Sequence, residues 1–147
     1  MKRFVSKSLS IILAFSILMT LVPQFTARAY TSGDYTYFID ENYAVIYSYT
    51  GAGGNISIPA TLGGYPVYYI AVSAFENCLS LTGVTLPNTI IGINDRAFNG
   101  CEFLESVTMS EGVSHIDAEA FRDCHSLTSI TIPNSVEYID NFVFYRL

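Results

Sequence analysis

From Ile70 to the last residue the chain repeats itself every 23 residues with no insertion or deletion. Ala74-Phe75, Ala97-Phe98 and Ala120-Phe121 recur at that step, and Val143-Phe144 makes a fourth pair. The same step links Cys78, Cys101 and Cys124; Leu81, Leu104 and Leu127; Val84, Val107 and Ile130; and Thr85, Thr108 and Thr131. It also links Leu86, Met109 and Ile132, then Ile90, Val113 and Val136, and finally Ile70, Ile93, Ile116 and Ile139. A unit this short cannot bury its own apolar face, whereas stacked copies bury a continuous one. The period therefore requires a solenoid in which each column becomes a ladder of like residues, about 4.8 Å apart wherever the coil is a strand.

Within one unit, Val84 and Leu86 alternate with Thr85, the pattern of a strand with one buried face. Pro87 and Pro133 then end it, because proline has no N–H to give a ladder. Phe75 and Cys78 stand three apart, compatible with a short helical turn facing inward. The expected fold is a mainly β solenoid of stacked 23-residue coils, with a parallel β-sheet and short helical turns.

The unit running from Ala97-Phe98-Asn99-Gly100-Cys101 through Val107-Thr108-Met109 to Ile116 resembles the BspA-type (Treponema pallidum-type) leucine-rich repeat. Ile58-Pro59 followed by Gly64-Tyr65-Pro66-Val67 and Ile70 is similar to that family's opening repeat, in which an insertion lengthens the turn. Tyr35 to Tyr49 and then Gly51 resemble the short strands that commonly precede it. The resemblance covers roughly residues 35 to 147. It implies a curved leucine-rich-repeat solenoid, in extracellular or surface proteins that bind other macromolecules, and it implies no catalytic centre. Here the last repeat stops three residues after Phe144, before its Cys, Leu and strand columns. An uncapped coil exposes apolar surface and strand edges, so either a longer parent chain or self-association through that coil is expected.

The N-terminus reads as an export signal over residues 1–29. Lys2, Arg3 and Lys7 precede the apolar stretch Leu9 to Val22, and Ala27-Arg28-Ala29 has the A-x-A pattern of a cleavage site. The stretch counts 14 residues, short of the roughly 20 that span a bilayer. The expectation is a secreted or cell-surface protein with no membrane insertion after cleavage. Residues 30–58 are expected to form a β-hairpin cap turning near Asp40-Glu41-Asn42, with the repeats occupying 59–147. Nine of the 11 tyrosines lie between Tyr30 and Tyr69. They suit either a capping strand or a binding surface, where Tyr offers much contact area with few torsions to freeze.

Removing the signal leaves Arg96, Arg122 and Arg146 against 13 acids, a net charge of −10 with no lysine. Such a surface repels phosphate backbones and anionic membranes, which excludes nucleic acid as a partner class. It suits cationic partners or divalent ions, or is simply a solvated acidic surface.

The remaining motifs point away from chemistry. The three cysteines share one column beside inward Phe, so they read as buried thiols of a ladder, with a bridge between adjacent coils as the other reading. Their spacing matches no zinc site, and no metal or other cofactor is expected. His115 and His125 stand at variable outward positions, and a pair of His115 with Cys124 would need a structural thiol exposed and activated. Gly51-Ala52-Gly53-Gly54-Asn55 precedes no helix that could cradle phosphate. Leu86-Pro87-Asn88-Thr89 resembles the start of a sortase signal, but Ile90 stands where Gly is required. Asn55-Ile56-Ser57 is a glycosylation sequon, meaningful only in a host that glycosylates exported proteins.

What remains is surface. The candidate binding positions are the outward hydroxyl strip of Thr85, Ser106, Thr108, Ser129 and Thr131, with Tyr68, Tyr69 and Tyr138 as larger anchors. A Thr ladder also suits strand propensity alone. Two functions follow: an exported noncatalytic module that binds an extracellular protein or glycan, or a structural spacer or fragment of a larger surface protein with no binding site of its own.

Overall fold

The computed structural model describes residues 28–147, so the export segment lies outside the described residues except for its last two positions. Apolar columns 23 residues apart do stack, and the result is a solenoid of about four turns carrying two sheets.

The chain enters through three antiparallel strands. β1 (Ala29–Ser32) pairs with β2 (Tyr35–Asp40), which pairs with β3 (Tyr43–Tyr49). The β2–β3 turn falls at Glu41 and Asn42, with Glu41 at φ 50°, where the polar Asp-Glu-Asn run interrupts two β-prone segments. β3 then changes partner sense and runs parallel to β6 (Tyr65–Ile70). The entry strands thus continue the solenoid's own sheet. β4 (Gly54–Ser57) already pairs with β7 (Leu81–Thr85), so the second sheet starts ahead of residue 59. Between them β5 (Thr61–Leu62) folds back on β6 through Gly63-Gly64, both at positive φ, the left-handed geometry that a two-residue hairpin turn demands.

From β6 the first sheet climbs by one strand per coil through β8 (Gly92–Ile93), β10 (His115–Ile116) and β11 (Tyr138–Ile139), all parallel. Its inward column is Ile46, Ile70, Ile93, Ile116 and Ile139. The second sheet has the order β4, β7 and β9 (Ser106–Thr108), with Ile56, Val84 and Val107 in register. It ends there. Residues 128–132, expected as its fourth strand, make no backbone hydrogen bond to β9.

The third side of each coil, expected as a short helical turn, contains no helix among the described residues. Two residues per coil are left-handed instead. One column is Ser73, Arg96, Glu119 and Phe142 at φ 55–58°, and the other is Asn77, Gly100, Asp123 and Arg146 at φ 55–69°. A left-handed residue every fourth position breaks a helix after one turn. The backbone groups this frees are still satisfied. Residues on alternate positions donate to the next coil, as Phe75 N–H does to Ala97 O at 2.8 Å and Phe98 N–H to Ala120 O at 2.8 Å. The residues between them close turns within the coil, as Cys78 N–H does to Phe75 O at 3.1 Å. Buried backbone groups must be paired, and this alternation pairs them without strand or helix.

Phe75, Phe98 and Phe121 are fully buried inside this turn side, flanked by the Leu81, Leu104 and Leu127 column. No polar or charged residue is buried among the described residues. The ring stack extends one place beyond the repeat, because Tyr49 stacks on Phe75 with centroids 5.1 Å apart. Gly51 makes this possible, since a Cβ there would strike the Tyr49 phenol.

Candidate binding surfaces

With the inward positions committed to packing, the outward side chains of the two sheets and the turn side remain. The structure divides the candidate residues between two faces. Tyr68, Tyr69 and Tyr138 belong to the first sheet, and Thr85, Ser106 and Thr108 to the second. Ser129 and Thr131 are exposed at the next step beyond the second sheet but outside its ladder.

The second sheet presents two rows. Ser57, Thr85 and Thr108 form one, and Asn55, Gly83 and Ser106 the other. A Cβ at Gly83 would come within 2.8 Å of Asn55 Oδ1 and 2.9 Å of Ser106 Oγ, so these two side chains lean over the glycine. Asn55 and Ser57, which the sequon had brought forward only for glycosylation, complete the hydroxyl and amide strip. They lie outside the uninterrupted 23-residue register, so the period alone does not place them.

The first sheet is built differently. Its outward row runs Phe38, Val45, Tyr69, Gly92, His115 and Tyr138 across six strands. Gly92 is a gap in this row: a Cβ there would strike the His115 imidazole and come within 2.9 Å of Tyr69 Cδ1. Through that gap the Tyr69 and His115 rings meet, with centroids 5.9 Å apart. Tyr43 adds to the same surface, stacked on Tyr68 at 5.2 Å and set edge-on to Tyr69 at 5.5 Å. The 23-residue step does place His115 in the column of Tyr69 and Tyr138; Tyr43 had no such signal, because it comes from the entry hairpin.

Carboxylates border these rings. The Tyr43 hydroxyl donates to Asp40 at 2.7 Å, and that bond, with burial next, pushes the phenol up to about 12. The Asp140 carboxylate, followed by burial, raises the Tyr138 phenol. Asp117 titrates above the usual carboxylate range, chiefly because burial disfavours its charge; Asp95 and Asp140 act in the same sense and His115 opposes them.

Ser114 Oγ donates its proton to the Ile91 carbonyl at 3.1 Å, so the Nδ1 of His115, 3.1 Å from that oxygen, is placed to donate to it. Cys124 is buried on the other side of the wall, its thiol given to the Phe98 carbonyl at 3.2 Å. Cys101 likewise donates to the Phe75 carbonyl at 3.1 Å. Burial pushes the Cys124 thiol up to about 12 and the Cys101 thiol higher still. All three cysteines are free, and Cys78, expected to be buried with the others, is only half-buried. His125 lies with Nδ1 3.0 Å from the Arg146 carbonyl.

The turn side carries the basic charge. Glu119 bonds Arg96 and Arg122, each at 2.8 Å, while Asp123 pairs with Arg122 at 3.2 Å and Arg146 at 3.8 Å. Arg122 and Arg146 also sit over the Tyr145 ring, 5.5 and 5.3 Å from its centroid. Arg96, Arg122 and Arg146 are therefore joined in one network through Glu119 and Asp123.

Residues 45–147 match, in six copies, the family described as the BspA type leucine rich repeat region. A solved Treponema pallidum leucine-rich repeat protein is 31% identical with a TM-score of 0.75, over 80% of this chain and 56% of that one. A leucine-rich repeat protein from Bacteroides capillosus is 37% identical with a TM-score of 0.70, over 77% of this chain and 88% of that one. A leucine-rich cell surface protein from Faecalibacterium prausnitzii is 37% identical with a TM-score of 0.74, over 82% of this chain but 35% of that one. The chain thus spans about half of the Treponema relative and a third of the Faecalibacterium one. No curated protein matches the sequence. Among the described residues no helix is long and apolar enough to cross a membrane.

Proposed function

The chain belongs to the BspA-type leucine-rich repeat family, and from that premise we propose that it is an exported, noncatalytic module that binds an extracellular macromolecule through an outward sheet face. The observation that carries this reading is the division of labour between the two sides of the first sheet. Its inner column is uniform isoleucine, while its outer row brings Tyr69 and His115 together across Gly92 and sets Tyr138 one strand beyond His115. Tyr138 is 53% exposed on the last strand, where the inward Ile139 is 43% exposed as well. Large aromatic side chains left in solvent beside polar neighbours are the usual anchors of interfaces. Placement outside the cell is supported by the signal-like residues 1–29 and by the cell-surface description of the Faecalibacterium relative. The noncatalytic part is supported by the commitment of both buried thiols and of the Ser114 hydroxyl to backbone carbonyls.

The deciding experiment is solid-phase binding of the protein to a panel of purified extracellular matrix proteins and glycans, with Tyr138→Ala and Thr108→Ala compared. A partner whose binding weakens on either substitution, with the circular dichroism spectrum unchanged, supports the module and locates its face. No binding to any member would favour the spacer reading. Self-association through the last coil is read in the same samples by light scattering. Phe142, Tyr145 and Leu147 are exposed there, and a concentration-dependent mass would show that a second copy covers them.

A further inference from the structure

The outer face of the first sheet holds aromatic rings and carboxylates in excess of any cation to satisfy them. Tyr69 and Tyr138 lie in one row, with Asp117 and Asp140 two residues beyond His115 and Tyr138. Tyr43 with Asp40 repeats the pairing at the other end. The only basic side chain on these strands between β6 and β11 is His115, because all three arginines of the repeats are engaged on the turn side. That turn side shows what such a pairing does when a cation is supplied. There Asp123 pairs with Arg122 and Arg146 while both guanidinium groups sit over Tyr145. Tyr138 beside Asp140 pairs a ring and a carboxylate in the same way, with no arginine of the repeats beside it.

Deepening the binding-module reading, on which it rests, we propose that this face docks a lysine- or arginine-rich extended segment of an extracellular polypeptide, its cations seated on the Tyr69 and Tyr138 rings and neutralised by Asp117 and Asp140. Charge complementarity selects this occupant. The chain after residue 29 carries −10, so the field draws a basic segment and repels an acidic one. A neutral sugar would use the rings but gain nothing from the field. The dimensions agree: three strand steps from Tyr69 to Tyr138 cover about 14 Å, which an extended peptide spans in roughly four to five residues, presenting two or three side chains to one side. Ring faces attract ammonium and guanidinium groups, and a neighbouring carboxylate adds its own Coulomb attraction.

The test is fluorescence anisotropy of the protein with a labelled octapeptide of alternating lysine and serine, beside the glutamate–serine counterpart and chitohexaose. Binding of the lysine peptide alone is expected, weakening as salt rises. Tyr138→Ala, which leaves the charge unchanged, is expected to weaken it about fivefold. Asp117→Asn combined with Asp140→Asn is expected to weaken it at least roughly tenfold and to flatten the salt dependence. Glu102→Gln combined with Glu105→Gln removes the same charge elsewhere and is expected to leave the affinity within about twofold. Equal losses from the two double variants, with none from Tyr138→Ala, would mean diffuse attraction and overturn the proposal. Binding of chitohexaose in place of the peptide, lost in Tyr138→Ala, would also overturn it while leaving the module reading intact. Failure of every probe would overturn it too, and the matrix panel then decides the module reading separately. Far-UV circular dichroism of each variant separates a lost site from a lost fold.

Discussion

Phe98 and Phe121, 23 residues apart, stack with centroids 5.2 Å apart and ring planes only 1° from parallel. Neighbouring coils therefore superpose on the turn side with almost no rotation between these rings. Offset-stacked rings at this separation add attraction to their burial.

Removing the middle of that stack should be costly. Phe98→Ala leaves a ring-sized void between Phe75 and Phe121, and a loss of about 3–5 kcal/mol is expected. Phe144 has a ring on one side only, 6.1 Å away, and is half-buried, so Phe144→Ala should lose less than half as much. Urea midpoints at constant slope measure both, and equal losses would contradict the stacking account.

Two glycines that look alike in sequence should behave differently. At Gly92 a new Cβ meets the end of the His115 imidazole and the near edge of the Tyr69 ring, both side-chain atoms that can swing outward. Gly92→Ala should change stability by less than about 1 kcal/mol yet shift the His115 imidazole resonances. At Gly112 the new Cβ meets backbone, including Ile90 O at 2.9 Å, and Gly112→Ala should cost at least roughly 2 kcal/mol. A thermal unfolding series on the two variants, with proton spectra of the first, checks the contrast.

Thiol chemistry should distinguish the three members of one column. With a disulfide reagent near pH 8, Cys78 should react promptly, whereas Cys101 and Cys124, buried and hydrogen-bonded, should react only as the fold opens. Three equal rates in the native protein would contradict this.

Two acids should act on stability with opposite sign. The folded state raises the Asp117 carboxyl, mainly by burial, so it binds that proton more tightly than the unfolded chain does, and stability is lost as pH rises through the carboxylate range. Asp117→Asn should therefore raise Tm at pH 7, with the gain shrinking on acidification. Glu119 is lowered, chiefly by its hydrogen bond to Arg96, so its contribution is present above the ordinary Glu range and lost as pH falls through the lowered value. Glu119→Gln should lower Tm at pH 7 and make no difference in strong acid. Melting curves from pH 2 to 8 read both, and matching signs would sink the assignment.

How far the sequence could be read depended on direction. The inward columns were legible because a side chain facing the core meets its own equivalent in the next coil, and the 23-residue period names that equivalent. The β2–β3 turn was legible from Asp40-Glu41-Asn42 for a local reason. The turn side was misread, because Phe75 and Cys78 three apart fit a helical turn equally well. The left-handed conformations of Ser73, Arg96, Glu119 and Phe142 have no common residue type to announce them. The fourth strand of the second sheet was expected from Ile130-Thr131-Ile132, whose pattern matches the others, yet its ladder to β9 does not form.

The sequence by itself determined the coil, its period and the identity of every repeated inward layer, since stacking identical units makes burial a one-dimensional problem. Only the tertiary structure decided what lies side by side on the outside. It set Tyr43 of the entry hairpin against Tyr68 and Tyr69, brought His115 to Tyr69 across a missing Cβ at Gly92, and drew the three arginines of the repeats into one network away from the tyrosines. Outward contacts depend on lateral register between strands and on which neighbours are small enough to be crossed, and neither is carried by the period.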